Sequence, residues 1–156
     1  MMSTAAVLQQ LQDASDDASR ARAIRLLKNQ LIGNRHKKVE YLERGAVPLV
    51  VSAASQPASA DVLVQGAAAL ASIAYRHRPA ACGVHACDGV ALLVALLGHE
   101  DERVVEHSAR ALHAICEVRL NPAAALAARP FAHPSRRLQH RRVARTTCAY
   151  CRRGDS

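Results

Sequence analysis

The chain has 156 residues, half of them apolar, but only one Phe, three Tyr and no Trp, so Ala, Leu and Val must build its core. The net charge of +8 is unevenly spread: beyond residue 120 lie eight Arg and one Asp, while residues 1–120 hold 13 Lys and Arg against 12 Asp and Glu, so the part expected to fold is nearly neutral. The longest apolar run, Val90–Leu97, is far short of the roughly 18 residues of a membrane span, and Asp13, Asp16 and Asp17 argue against a transit peptide. A soluble chain is expected. Five cysteines make an odd count with no disulfide framework, which favours reduced thiols of the cytosol or nucleus.

Taken in chain order, residues 1–33 begin with Val7, Leu8 and Leu11, a short capping helix. Ser15, Asp16 and Asp17 then cap a longer helix whose apolar stripe is Ile24, Leu27 and Leu31, ending at Gly33. Residues 34–75 form a complete unit: NRHKKVEYLERG, then AVPLVVSAASQP, then a helical run ending ASIAY. Val62, Gly66, Ala69, Leu70, Ile73 and Ala74 make the stripe of that third helix. Residues 76–117 repeat the plan, with Val105, Ser108, Ala109, Leu112 and Cys116 as the stripe and Glu100, Asp101 and Glu102 at the helix start, where the dipole favours negative charge. Gly45 and Gly89, 44 residues apart, correspond as glycines just past a helix end, where a left-handed conformation is needed. Pro48 falls in the first turn of the following helix, where its missing N–H is harmless. Ile73 and Ile115 correspond at 42, and a two-residue insertion near Arg76–Pro79 reconciles the spacings. Residues 118–156 read as a disordered basic, Arg- and Ala-rich tail.

The expected fold is therefore all-α: about two complete three-helix repeats plus a partial N-terminal one that has a long helix without the two that should precede it. The last long helix should present an apolar face with no repeat stacked on it.

Units of three helices and about 42 residues with a glycine before the second helix resemble armadillo repeats. LKNQLIGN from Leu27, the lysines Lys37 and Lys38, and GAVP at Gly45–Pro48 resemble more specifically the N-terminal region of an armadillo-repeat scaffold subunit of the GID/CTLH ubiquitin ligase. The resemblance covers residues 15–117. It implies an armadillo-type right-handed α-solenoid whose third helices line a concave partner-binding groove. It also implies a non-catalytic scaffold in proteasome-dependent protein degradation, cytoplasmic and nuclear, whose partners are other subunits of a ubiquitin ligase complex. Aligned at Leu31, Ile73 and Ile115, the groove positions are Leu26 and Gln30, Ala68 and Ser72, and Arg110 and Ala114, with Gln65 and His107 one turn earlier. Import receptors of the importin-α type carry Trp and Asn ladders there. Without Trp, and with neither Asn29 nor Asn34 in that register, this chain suits packing of another helix or subunit.

No residue set supports catalysis, a cofactor, a small-molecule substrate or a metal. Cys148 and Cys151 form a CxxC, but with only His133 and His140 nearby they lack a regular four-ligand pattern. Cys82, His85 and Cys87 lack a fourth partner, and reduced Cys is commonly a small core residue. Glu106, His107 and Ser108 are neighbours on one helix and point about 100° apart, so they cannot converge as a triad. The alternative functional class is a nuclear or nucleic-acid-binding protein acting through RRLQHRRVAR, Arg136–Arg145. That alternative predicts salt-steep nucleic-acid binding, measured by anisotropy across a salt titration, which disappears when residues 121–156 are deleted. Binding that survives the deletion would relocate the responsible charge.

Overall fold

In the computed structural model the described residues, 2–56 and 58–120, form eight helices and no strand. They are α1 (Thr4–Gln12), α2 (Asp17–Leu31), α3 (Arg35–Glu43), α4 (Ala46–Ser55), α5 (Ala60–Ala74), α6 (Arg78–Ala86), α7 (Gly89–Leu96) and α8 (Glu102–Leu120). Helix α8 runs past residue 117, where the last repeat was expected to end. The remainder of the tail, with Cys148, Cys151, His133 and His140, lies outside the described residues. No single helix among the described residues is long and apolar enough to cross a membrane.

Side-chain caps start most of these helices, satisfying backbone N–H groups that have no partner in the first turn. Ser3 Oγ accepts from Ala6 N at 3.2 Å, Asp16 Oδ2 from Ser19 N at 2.9 Å and Asn34 Oδ1 from Lys37 N at 3.0 Å. His77 Nδ1 accepts from Ala80 N at 3.3 Å, and Asp101 Oδ1 from Arg103 N at 2.9 Å. Between helices the chain turns through left-handed residues at Gly33 (φ 71°), Gly45 (φ 74°), Arg76 (φ 53°) and Asp88 (φ 58°).

These corners correct the repeat register. Gly33 pairs with Arg76 and Gly45 with Asp88, both at 43 residues, so no insertion is needed near Arg76–Pro79. The single residue that reduces the spacing to 42 is lost between α7 and α8. Gly89 is not the counterpart of Gly45. It is the first residue of α7, and a Cβ there would meet Val84 Cγ1 at 2.6 Å, the Val84 carbonyl oxygen at 2.9 Å and Val51 Cγ2 at 3.1 Å. Gly89 serves close packing, and Asp88 takes the left-handed corner, a role its short polar side chain tolerates.

Helix α1 falls at the position of α4 moved back 43 residues: Val7, Leu8 and Leu11 stand where Val50, Val51 and Ala54 stand, and all six are buried. Helices α1 and α2 therefore hold the places of the second and third helices of a unit. The core runs continuously through the stack, with Ile24, Leu27 and Leu31 from α2, Tyr41 from α3, Val47 and Val50 from α4, Val62, Leu70 and Ile73 from α5, Val84 from α6, Leu93 from α7 and Ala111 and Ile115 from α8. Tyr41 is fully buried yet satisfied, its hydroxyl donating to Gln30 Oε1 at 2.9 Å. Burial pushes its pKa up to about 12.

One face of the last unit is open, as the sequence led us to expect. Val105, Ala109, Leu112 and Cys116 of α8 are half-buried or exposed, whereas their counterparts Leu63, Ala67, Leu70 and Ala74 are buried beneath α8. Val94 on α7 and Leu97 just past its end are 54% and 39% exposed where Val51 and Ala54 are 7% and 4%. The inward stripe of α8 is Val104, Ser108, Ala111, Ile115 and Val118, shifted from the stripe expected, which shares only Ser108 with it.

The two corner residues of α7 should respond oppositely to substitution. Gly89→Ala should destabilise by about 1–3 kcal/mol through overpacking against Val84. Asp88→Gly should be neutral or stabilise by up to about 1 kcal/mol by relieving the left-handed backbone. Urea midpoints at constant m-value check both; a harmless Gly89→Ala would contradict the packing role.

Candidate functional site

The third helices α2, α5 and α8 lie side by side, with α5 packed between the other two. Polar contacts tie the layer: Ser59 N donates to Asp17 Oδ2 at 2.6 Å, Lys28 Nζ to Gln65 Oε1 at 3.0 Å, and Arg103 Nη1 pairs with Asp61 Oδ1 at 3.5 Å. The caps fix the alignment, Asp16 standing 43 residues before Ser59 and Ser59 standing 42 before Asp101. Three rows then cross the layer: Arg22, Gln65 and His107; Arg25, Ala68 and Arg110; Asn29, Ser72 and Ala114.

This alignment differs from the sequence expectation on α2 by one residue. Leu26 is half-buried against the core. Gln30 is engaged inside the fold, its Nε2 donating to the Met2 carbonyl at 3.1 Å and its Oε1 accepting from Tyr41. Arg25 and Asn29, both exposed, occupy the rows instead. Asn29 therefore does fall in register with the other third helices, contrary to the reading made from Leu31; the absence of Trp is unchanged. The missed signal was the pair of N-terminal caps, which fix helix starts independently of the apolar stripe.

The remaining expected positions are distributed as follows. Gln65, Ala68, Ser72 and His107 are half-buried, Arg110 is exposed and Ala114 is 7% exposed. Ser72 Oγ donates to the Ala68 carbonyl at 2.9 Å, His107 Nδ1 lies 2.9 Å from the Arg103 carbonyl oxygen, and Arg110 Nη2 donates to Glu106 Oε1 at 2.6 Å. The middle of the layer is thus shallow and neutral, and its longest side chains stand at its two outer helices.

The two rims differ in charge. At the N-terminal ends of the third helices stand Asp16, Asp17, Asp61, Asp101 and Glu102, where helix dipoles favour them. At the opposite ends stand Arg35, Lys38, Arg76 and Arg78, with Tyr75 among them. Lys38 Nζ donates to the Tyr75 carbonyl at 2.9 Å and lies 5.5 Å from the ring centre, and the Arg76 guanidinium lies 5.4 Å from it. Burial and then the Arg35 charge lower the pKa of Lys38. Burial, then Lys38 and Arg35, lower that of His77. Among the described residues, no three His, Cys, Asp or Glu side chains converge as a metal site. Cys87 is half-buried with its thiol pKa raised, chiefly by burial. Ser108 Oγ is buried with no hydrogen-bond partner among the described residues.

No protein-family model matches the chain, and no curated protein matches it. Solved structures do. An engineered protein at 28% identity superposes with a TM-score of 0.66 over 81% of this chain and 54% of its own length. Another engineered protein, at 25% identity, has a TM-score of 0.69 over 81% of this chain and 31% of its own. A designed armadillo repeat protein, at 22% identity, has a TM-score of 0.64 over 80% of this chain and 54% of its own. The chain spans about a third to a half of the length of these structures. Its fold is an armadillo-type helical solenoid.

His77 gives this rim a pH signature. Its folded pKa lies below the ordinary 6.5, so the unfolded chain takes up the proton first. The contribution is complete above 6.5 and is lost as pH falls through that value toward the lowered one. The lowered carboxyl pKa values of Asp16, Glu40 and Asp101 act in a separate window, at and below their ordinary 3.8–4.5. His77→Asn, which keeps a capping side chain as Asn34 does for α3, should abolish the loss between about pH 7 and 5. Urea midpoints across that range check it, and an unchanged slope would sink the assignment.

Proposed function

We propose, starting from an armadillo-type solenoid with a shallow face of third helices, that the chain is a non-catalytic scaffold that holds other proteins. More finely, we propose that it is a subunit, or a piece of one, of a GID/CTLH-type ubiquitin ligase complex acting in proteasome-dependent protein degradation in the cytoplasm and nucleus. The observation that carries the scaffold reading is the layer α2–α5–α8, whose rows of exposed and half-buried side chains repeat from helix to helix at the same register. Such a surface offers a partner periodic contacts along the stack and offers a small molecule little enclosure. What supports the ligase reading is the resemblance of LKNQLIGN at Leu27–Asn34, Lys37–Lys38 and GAVP at Gly45–Pro48 to the N-terminal region of armadillo repeat-containing protein 8.

Candidate partner contacts are Arg22, Arg25, Asn29, Gln65, Ala68, Ser72, His107 and Arg110. Affinity purification of the tagged chain from cells, followed by mass spectrometry, should recover other ligase subunits. The double substitution Arg25→Glu and Ser72→Glu should reduce that recovery severalfold while leaving the helical circular dichroism and melt unchanged. Recovery of other proteins with no ligase subunit would end the ligase reading and leave the scaffold. A monomeric chain without any stoichiometric partner would end both.

A further inference from the structure

The basic rim carries more than the dipoles of its helices explain. Arg35 is the first residue of α3 and Lys38 lies in its first turn, Arg78 is the first residue of α6, and neither helix has an acidic residue there. Cations at a helix start oppose the helix dipole and are locally unfavourable. In α2, α5 and α8 an acid stands in the first turn (Asp17, Asp61 and Glu102), and the first-turn cations Arg20 and Arg103 are each paired with a carboxylate. A sequence that breaks a local rule twice, at corresponding corners one repeat apart, marks a surface kept for another purpose.

The cations there also make no ion pair with a carboxylate among the described residues. The ion pairs of the described residues join Arg20 to Asp17, Lys37 and Arg44 to Glu40, Arg103 to Asp61 and Asp101, and Arg110 to Glu106, none of which involves Arg35, Lys38, Arg76 or Arg78. The charges that Lys38 and His77 experience are those of neighbouring cations. Beside them lie two of the most exposed large apolar side chains, Ile32 at 66% and Tyr75 at 47%, at equivalent places 43 residues apart. Arg35 and Arg78 repeat at the same interval.

We propose that this rim docks an extended acidic segment of a partner protein. The partner would place one carboxylate at Arg35 and Lys38, a second at Arg76 and Arg78, and an apolar side chain on Ile32. Packed helices stand about 8–10 Å apart, and an extended peptide advances about 3.3 Å per residue. The two carboxylates therefore belong about three residues apart. A peptide fits better than a nucleic acid, because the one aromatic ring at the rim already holds two cations and Ile32 offers phosphate nothing. The inference rests on the scaffold reading and adds to it the chemistry of the partner.

The test uses the full chain and fluorescein-labelled twelve-residue peptides, read by anisotropy at low and moderate salt. One peptide carries Glu at every third position between Leu and Ser, one replaces Glu by Gln, and one groups the same Glu residues at one end. A single-stranded RNA of equal length completes the set. The spaced acidic peptide should bind at least about tenfold tighter than the neutral and grouped ones, and weaken with salt. Arg35→Glu with Arg78→Glu should lose at least about tenfold in affinity, Lys at both positions should retain most of it, and Arg44→Glu at the far end of α3 should cost less than about threefold. Equal binding of the neutral peptide, equal damage from Arg44→Glu, or tighter binding of the RNA would each overturn the proposal. If the peptide fails while partner proteins are still recovered by the chain, the rim assignment falls and the scaffold stands. If the peptide binds but no ligase subunit is recovered, only the ligase reading falls.

Discussion

The close approach of helices through alanine and glycine is the constraint on which the rest of this structure depends. Helix α5 is enclosed by α2, α4, α6 and α8, and it meets them with Gly66, Ala67, Ala69 and Ala74 between its larger Val62, Leu70 and Ile73. At Gly66 a Cβ would sit 3.2 Å from the Cβ of Ala54, so the backbone of α5 lies nearly against α4. At Gly89 there is no room for a Cβ at all. A chain without Trp and with a single Phe can fill its core only in this way, with interaxial gaps small enough for methyl groups to close them. The spacing of the rows across the third helices, and of the charged corners, follows from that tightness.

Much of this was legible in the sequence because burial on helices is periodic and local. The stripe of α5 is buried at every expected position, and Gly45 adopts the left-handed corner assigned to it. What failed was register. On α2, apolar residues at Leu26, Leu27 and Leu31 admit two alignments with Ile73 and Ala74, and the stripe alone does not choose between them. The caps Asp16 and Ser59 choose, and they place Arg25 and Asn29 rather than Leu26 and Gln30 in register with Ala68 and Ser72. The Asp88–Gly89 pair misled for a related reason: glycine is the usual left-handed residue, but here aspartate takes the corner because Val84 leaves the next position no space for a side chain.

The helical identity of α1 was visible in Val7, Leu8 and Leu11, but its place as the second helix of a unit was not. Nine residues without a preceding helix look the same as a cap; only the packing against α2, repeated by α4 against α5, distinguishes them. The charged rims were hidden for another reason. Arg35, Lys38, Arg76 and Arg78 stand in two clusters far apart in sequence, and the near-neutral total of residues 1–120 conceals them. Folding brings Asp16, Asp17, Asp61 and Asp101 to one set of helix ends and Arg35, Lys38, Arg76 and Arg78 to the other, a grouping that composition cannot express.

The open face of α7 and α8 bears on how the chain's stability should be understood. Val94, Leu97 and Leu112 form a surface only in the folded state, so a polypeptide that covers them binds the folded population and leaves the unfolded one untouched. By mass action such a cover raises the apparent unfolding free energy, by about 2.7 kcal/mol when present at a hundred times its dissociation constant. The melting temperature of this molecule would therefore rise with the concentration of any polypeptide that covered that face.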